Sequence, residues 1–129
     1  MPTTTSRPPV YVTDEELERL SDLAHAVQGR EPAAETLIEE LTRARITPVE
    51  DVPLDVVRMH DRVRFTYDGT LYDDFWLVYP NEANIAARRI SVLTQVGAML
   101  IGLRAGGAIS WRGPDGRDHS LEVLSVIRG

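Results

Sequence analysis

Three histidines, His25, His60 and His119, are the first residues to weigh, since an imidazole can hold a metal or move a proton near neutral pH. They fall on three different predicted elements, with no i, i+4 pair and no adjacent cluster of acids. That spacing points to exposed or capping histidines and away from a metal centre. Ser91, His60 and Asp61 are the residue types of a nucleophilic set, but no strained Gly-x-Ser-x-Gly turn accompanies the serine. The chain has no cysteine, which removes thiolate nucleophiles and every zinc site built on sulfur. It has no lysine either: all 14 basic residues are arginine, so neither a Schiff base nor a phosphate-loop lysine is available. The glycines from Gly102 to Gly107 follow a helical stretch and do not precede one, the wrong end for an anion. These residue types predict no catalytic residue, no metal and no cofactor.

The elements that carry them read as two modules in an α+β chain. Thr13 followed by Asp14, Glu15 and Glu16 is a capping box opening a helix whose stripe is Leu17, Leu20, Leu23 or Ala24, and Val27. Gln28, Gly29 and Arg30 stop it. Pro32 suits the first turn of a second helix with the stripe Ala34, Leu37, Ile38, Leu41 and Ala44. The pair, over residues 13–45, predicts a short antiparallel hairpin in which each helix covers the other's stripe, an arm of roughly 20 Å at ~1.5 Å per residue. Residues 1–12 read as a tail. Residues 46–57, with Pro48 and Pro53, read as a linker because proline forbids a continuous helix there. Alternation from Arg62 to Tyr67 predicts a half-buried strand, and Asp68-Gly69 a turn. Strands follow at Tyr72 to Tyr79, Ile90 to Leu93, Ala108 to Trp111 and His119 to Ile127. A helix from Val96 to Arg104, ended by Gly106 and Gly107, interrupts them. The shift of apolar parity from Leu121 and Val123 to Leu124 and Val126 predicts a bulge in the last strand.

Charge divides along the same line. Residues 1–60 hold six arginines against twelve acids, and residues 61–129 hold eight against eight, so the net charge of -6 sits in the first half. A net negative protein repels phosphates, which predicts no stable direct binding of nucleic acid. No apolar run approaches the ~20 residues that span a bilayer, so no membrane is expected as partner and the predicted location is the cytoplasm. The acids of the first turn, Asp14 to Glu18, read as helix capping and solvation.

Several blocks are familiar in the second half. Residues 55–63 (Asp-Val-Val-Arg-Met-His-Asp-Arg-Val), Leu77 to Pro80, Ile90 to Leu93 with Val96 to Leu103, and Gly106 to Trp111 with Leu121 to Leu124 resemble the C-terminal domain of the Rnk family, regulators of nucleoside diphosphate kinase. The hairpin sits where that family has a short antiparallel coiled coil. The wider group is the Gre transcript-cleavage factors. The resemblance implies an FKBP-like C-terminal domain over residues 58–129, with one helix packed on its sheet, in a protein that is not an enzyme and is a monomer. It implies RNA polymerase as partner, engaged by occupancy or competition at the secondary channel, with an indirect effect on the kinase.

Gre factors carry an acidic hairpin tip that helps hold a catalytic magnesium. Here the tip is Gln28, Arg30, Glu31 and Glu35, with no Asp–Glu pair at its apex. Two carboxylates converging on one open position are the usual minimum for a shared Mg²⁺, so the tip is expected not to stimulate cleavage. The family's docking loop carries over to Leu93, Thr94 and Gln95. Gln95 stands where the family typically has proline, a change worth ~0.4–1 kcal/mol through the unfolded state. Two alternatives remain open at this point: a cleavage factor with a degenerate tip, and an FKBP-like prolyl isomerase lined by aromatics. Against the latter, Phe65, Phe75 and Trp111 read as core.

Overall fold

A computed structural model of the 129-residue chain describes residues 8–113 and 115–128. The first element is a strand, β1 (Tyr11–Val12), where the sequence suggests only tail. Residues 1–7 lie outside the described residues, but Val10 and Val12 are fully buried, and this part of the expected tail is core. Two alternating valines are too short a signal for periodicity to register.

Thr13 then caps α1 (Asp14–Ala26). Its hydroxyl accepts from the Glu16 N–H at 3.2 Å, and the Glu16 carboxylate accepts from the Thr13 N–H at 3.0 Å, the expected reciprocal box. Gly29, with φ of 88°, turns the chain, and Pro32 opens α2 (Pro32–Thr42), where its missing N–H costs nothing. The exit strand β2 (Arg45–Ile46) pairs in parallel with β1, Tyr11 opposite Arg45 and Val12 opposite Ile46. Entry and exit of the hairpin are thus clasped together, which sets the two helices antiparallel.

The linker is pinned along its length. Val52, Val56 and Val57 are buried, and Val57 exchanges backbone hydrogen bonds with Leu103 (2.8 Å) and Gly102 (2.9 Å). The sheet follows: β3 (Arg62–Tyr67), β4 (Thr70–Val78), β5 (Arg89–Ser91), then α3 (Gln95–Leu100), β6 (Ala108–Arg112) and β7 (Asp118–Ile127). Its order is β5-β4-β3-β7-β6, antiparallel except for β4 and β5. The predicted bulge is present. Arg64 faces Ser125 while Phe65 faces Val123, so Leu124 is the extra residue and stands exposed.

α3 is shorter than its apolar period suggests. It stops at Leu100 because Gly102, at φ of 80°, turns the chain back toward Val57 before Gly106 and Gly107 are reached.

The hairpin does not bury its stripe on itself alone. Leu20, Ala24, Ala34 and Leu37 share one apolar cluster with Phe65, Leu77, Leu100 and Leu121. Polar links run beside it: Arg58 to Glu16 at 2.8 Å, and the Arg19 guanidinium 5.2 Å from the Tyr79 ring centre. Thr36 on α2 donates to the side-chain amide oxygen of Gln95 on α3 at 3.0 Å. An amphipathic stripe of this kind buries against whatever apolar face is available, and here that is α3 and the sheet as well as the sister helix.

Candidate functional site

The loop Leu93-Thr94-Gln95 is held by its own side chains. The Ser91 hydroxyl accepts from the Leu93 N–H at 3.0 Å. The Thr94 hydroxyl donates to the Ser91 carbonyl at 2.7 Å and accepts from the Gly97 N–H at 3.0 Å, capping α3. Gln95 takes the first helical position, where proline would also fit. Its side-chain amide oxygen accepts from the Thr36 hydroxyl, which ties the loop to α2.

At the hairpin tip the predicted residues separate into two groups. The Gln28 amide donates to a Glu35 carboxylate oxygen at 2.9 Å, and Arg30 donates to the Ala26 carbonyl at 2.8 Å. Both contacts close the turn on itself. Glu31, by contrast, is the exposed N-cap residue of α2, without a side-chain capping hydrogen bond. Glu31, Leu93, Thr94 and Gln95 line a single cleft of about 500 Å³, while Gln28, Arg30 and Glu35 do not.

The far wall of that cleft is Tyr67, Trp111, Asp115 and His119, a group the sequence reading leaves apart. Their rings are mutually near: Tyr67–Trp111 6.0 Å, Tyr67–His119 5.9 Å and Trp111–His119 5.8 Å, with planes within 29° of parallel. Each pair is stacked, and because the three centroids are nearly equidistant the rings form a compact cluster on the wall. Strand register explains the grouping. Trp111 pairs directly with His119, and Tyr67 lies on the same inward face of the neighbouring strand. Phe65 is core as expected, whereas Phe75 and Trp111 are only partly buried.

The expectation that no cluster of acids adjoins a histidine fails at His119. Its Nδ1 lies 2.7 Å from an Asp68 carboxylate oxygen and its Nε2 3.2 Å from one of Asp115. Both ring nitrogens face acceptors, which only the doubly protonated ring satisfies. The hydrogen bond to Asp68, then that to Asp115, hold the His119 pKa above its ordinary value. Asp68 is lowered by its bonds to His119 and to the Ser120 N–H. Asp115 is lowered chiefly by the Arg117 N–H, with His119 contributing. Asp115 precedes His119 by four residues across a turn, a spacing informative only once strand pairing is known.

These directions fix a pH window. A raised imidazole stabilises the fold fully below its unfolded value of about 6.5 and loses that contribution as pH rises through the folded value. The lowered carboxylates contribute above about pH 4 and lose it as pH falls through their depressed values. His119→Asn should therefore cost more thermal stability at pH 6 than at pH 9. Equal losses in melts at the two pH values would show that the ion pairs are idle.

The other candidates are not assembled. His60 pairs with Glu82 at 2.8 Å, Asp61 accepts from the Arg58 N–H at 2.9 Å, and the Ser91 hydroxyl accepts from the Leu93 N–H at 3.0 Å. His25 faces the Ser21 carbonyl at 2.8 Å. Among the described residues no group of three His, Asp or Glu is placed to hold a metal, and no helix is long and apolar enough to cross a membrane.

Comparison with known proteins is consistent along the chain. The family model described as "Rnk N-terminus" matches residues 8–46, and "Transcription elongation factor, GreA/GreB, C-term" matches residues 52–128. The "Regulator of nucleoside diphosphate kinase" of Escherichia coli strain K12 is 39% identical over 125 residues, 94% of this chain and 90% of that protein. The protein of the same name from Shigella flexneri matches to the same extent. Among solved structures, "Prokaryotic transcription elongation factor GreA/GreB from Nitrosomonas europaea" superposes with a TM-score of 0.69 at 31% identity. That match covers 92% of this chain and 98% of the other.

Proposed function

This chain belongs to the Rnk family within the GreA/GreB transcription elongation factors, and from that premise we propose that it is a non-enzymatic regulator that binds RNA polymerase. The β-rich head, FKBP-like in this reading, docks through Leu93, Thr94 and Gln95. The coiled-coil hairpin is presented toward the secondary channel. It supplies no catalytic carboxylates there and acts by occupancy, in competition with Gre-type factors. Any influence on nucleoside diphosphate kinase then runs through transcription. The protein works in the cytoplasm as a monomer, without a cofactor.

The observation that carries this reading is the state of the tip. Glu35 accepts from Gln28 and lies outside the cleft that Glu31 lines, and no Asp–Glu pair stands at the apex of the turn, which supports a tip without a shared pair of catalytic carboxylates. A magnesium shared with a transcript end needs such a pair.

The test is co-sedimentation with core RNA polymerase, with a Gre factor as positive control. Binding at micromolar concentration, displaced by the Gre factor and without shortening of transcripts in backtracked complexes, is the expected result. Absence of binding where the Gre factor binds removes the proposal. Transcript shortening abolished by alanine at Glu31 and Glu35 would replace it with the cleavage-factor reading.

A further inference from the structure

The cleft between the hairpin and the sheet has a composition that selects its occupant. One wall is a cluster of three rings, Tyr67, Trp111 and His119. Carboxylates stand at two sides, Asp115 on the wall and Glu31 at the mouth, and the latter's side chain takes no part in capping α2. Among the described residues the lining contains no arginine, although the chain has 14 basic residues, all arginine. With Asp68 behind His119, carboxylates outnumber cations here whether the imidazole is charged or neutral. An anion is repelled by such a site, and a purely apolar segment would leave Glu31 desolvated and unpaired.

A planar cation suits both surfaces at once. A guanidinium lies flat on an aromatic face and offers a donor fork to a carboxylate at its edge, whereas an ammonium is a hydrated point charge that does neither as well. We propose that the cleft seats an arginine side chain of the protein partner, its guanidinium against the neutral rings of Tyr67 and Trp111 and its fork on Glu31. The loop Leu93-Thr94-Gln95 forms the rim against which the partner's backbone rests. This deepens the docking reading above and rests on it for the identity of the partner, RNA polymerase. The recognition chemistry itself rests only on the cleft.

Two measurements on the full chain separate those layers. In the first, the isotope-labelled protein is titrated with N-acetyl-Gly-Arg-Gly-amide and followed by nuclear magnetic resonance, with the citrulline and lysine analogues as controls. The arginine peptide should move the Trp111 indole and the His119 signals with millimolar affinity. Glu31→Gln should weaken that affinity by about three-fold, as expected of a partly exposed ion pair, with the circular dichroism spectrum unchanged. Equal responses to citrulline or lysine, or none to arginine at about 10 mM, overturn the proposal.

In the second, core RNA polymerase is titrated with the wild type, Glu31→Gln and, as a charge-matched control away from the cleft, Glu122→Gln. Weaker binding of Glu31→Gln, with Glu122→Gln retained near wild type, supports arginine capture as part of docking. Polymerase binding indifferent to Glu31→Gln, and to the arginine peptide as competitor, shows that the cleft is not the contact and overturns the assignment to this partner. A peptide response without any polymerase binding keeps the recognition chemistry and removes the docking reading instead.

Discussion

Alanine at Gly97 should lower the melting temperature by roughly 10 °C and displace the loop that precedes α3. A methyl group built on Gly97 would overlap the Ser91 carbonyl oxygen and lie 2.9 Å from the Val92 Cα, so backbone meets backbone and no rotamer relieves it. Two effects oppose each other. Alanine is favoured over glycine in a helix by about 1 kcal/mol, whereas forcing an extra carbon into a filled interior costs about 1–3 kcal/mol and more when only backbone can yield. The clash wins. Because Ser91 also holds the Leu93 N–H and the Thr94 hydroxyl, the strain passes directly into Leu93-Thr94-Gln95. Polymerase binding should fall along with the melting temperature. A melting temperature within about 2 °C of wild type would mean that α3 does not sit as close to β5 as described.

Leu37→Ala tests a larger claim, that the hairpin and the sheet are one cooperative unit. Leu37 is fully buried on α2, in the same cluster as Phe65, Leu100 and Leu121. Its truncation should cost about 2–5 kcal/mol through lost burial and the cavity left behind. Both tryptophans, Trp76 and Trp111, lie on sheet strands, whereas most helical residues lie in the hairpin. Fluorescence therefore reports mainly the sheet, with Trp111 also sensing the cleft beside the hairpin, and circular dichroism at 222 nm mainly the hairpin. The two transitions should coincide in wild type and move down together in the variant. If the helical signal melts first while fluorescence keeps its wild-type midpoint, the hairpin is an independent arm.

What periodicity could reveal here was local. The capping box at Thr13, the proline opening α2, the strand from Arg62 to Tyr67 and the bulge at Leu124 all depend on residues within a few positions of one another, and all are present. The clasp of β1 on β2 was hidden because two-residue strands carry no period, and its pairing spans more than thirty positions. The end of α3 was misjudged for a similar reason. Gly102 breaks it in favour of Val57, a partner far away in sequence.

The cleft shows the same limit. Glu31 and the loop at Leu93 to Gln95 were each legible, one from the turn between two helices and the other from resemblance. That they face each other was not, because it follows from the hairpin lying against α3. Tyr67, Trp111 and His119 come from three strands, and only register sets their rings side by side. His119 read as solitary because its acids stand one strand and one turn away.

The clasp at the base has a consequence for reach. Since the strand entering the helices is stapled to the strand leaving them, the socket does not depend on how many residues lie between. Matched turns added to both helices would lift the apex clear of the sheet while leaving the seat undisturbed. Matched deletions would draw it below the rim. In this protein the first turn of α2 stops level with the loop before α3. A scaffold of this design separates length from attachment, so a probe and a plug can be cut from one pattern by changing a single dimension.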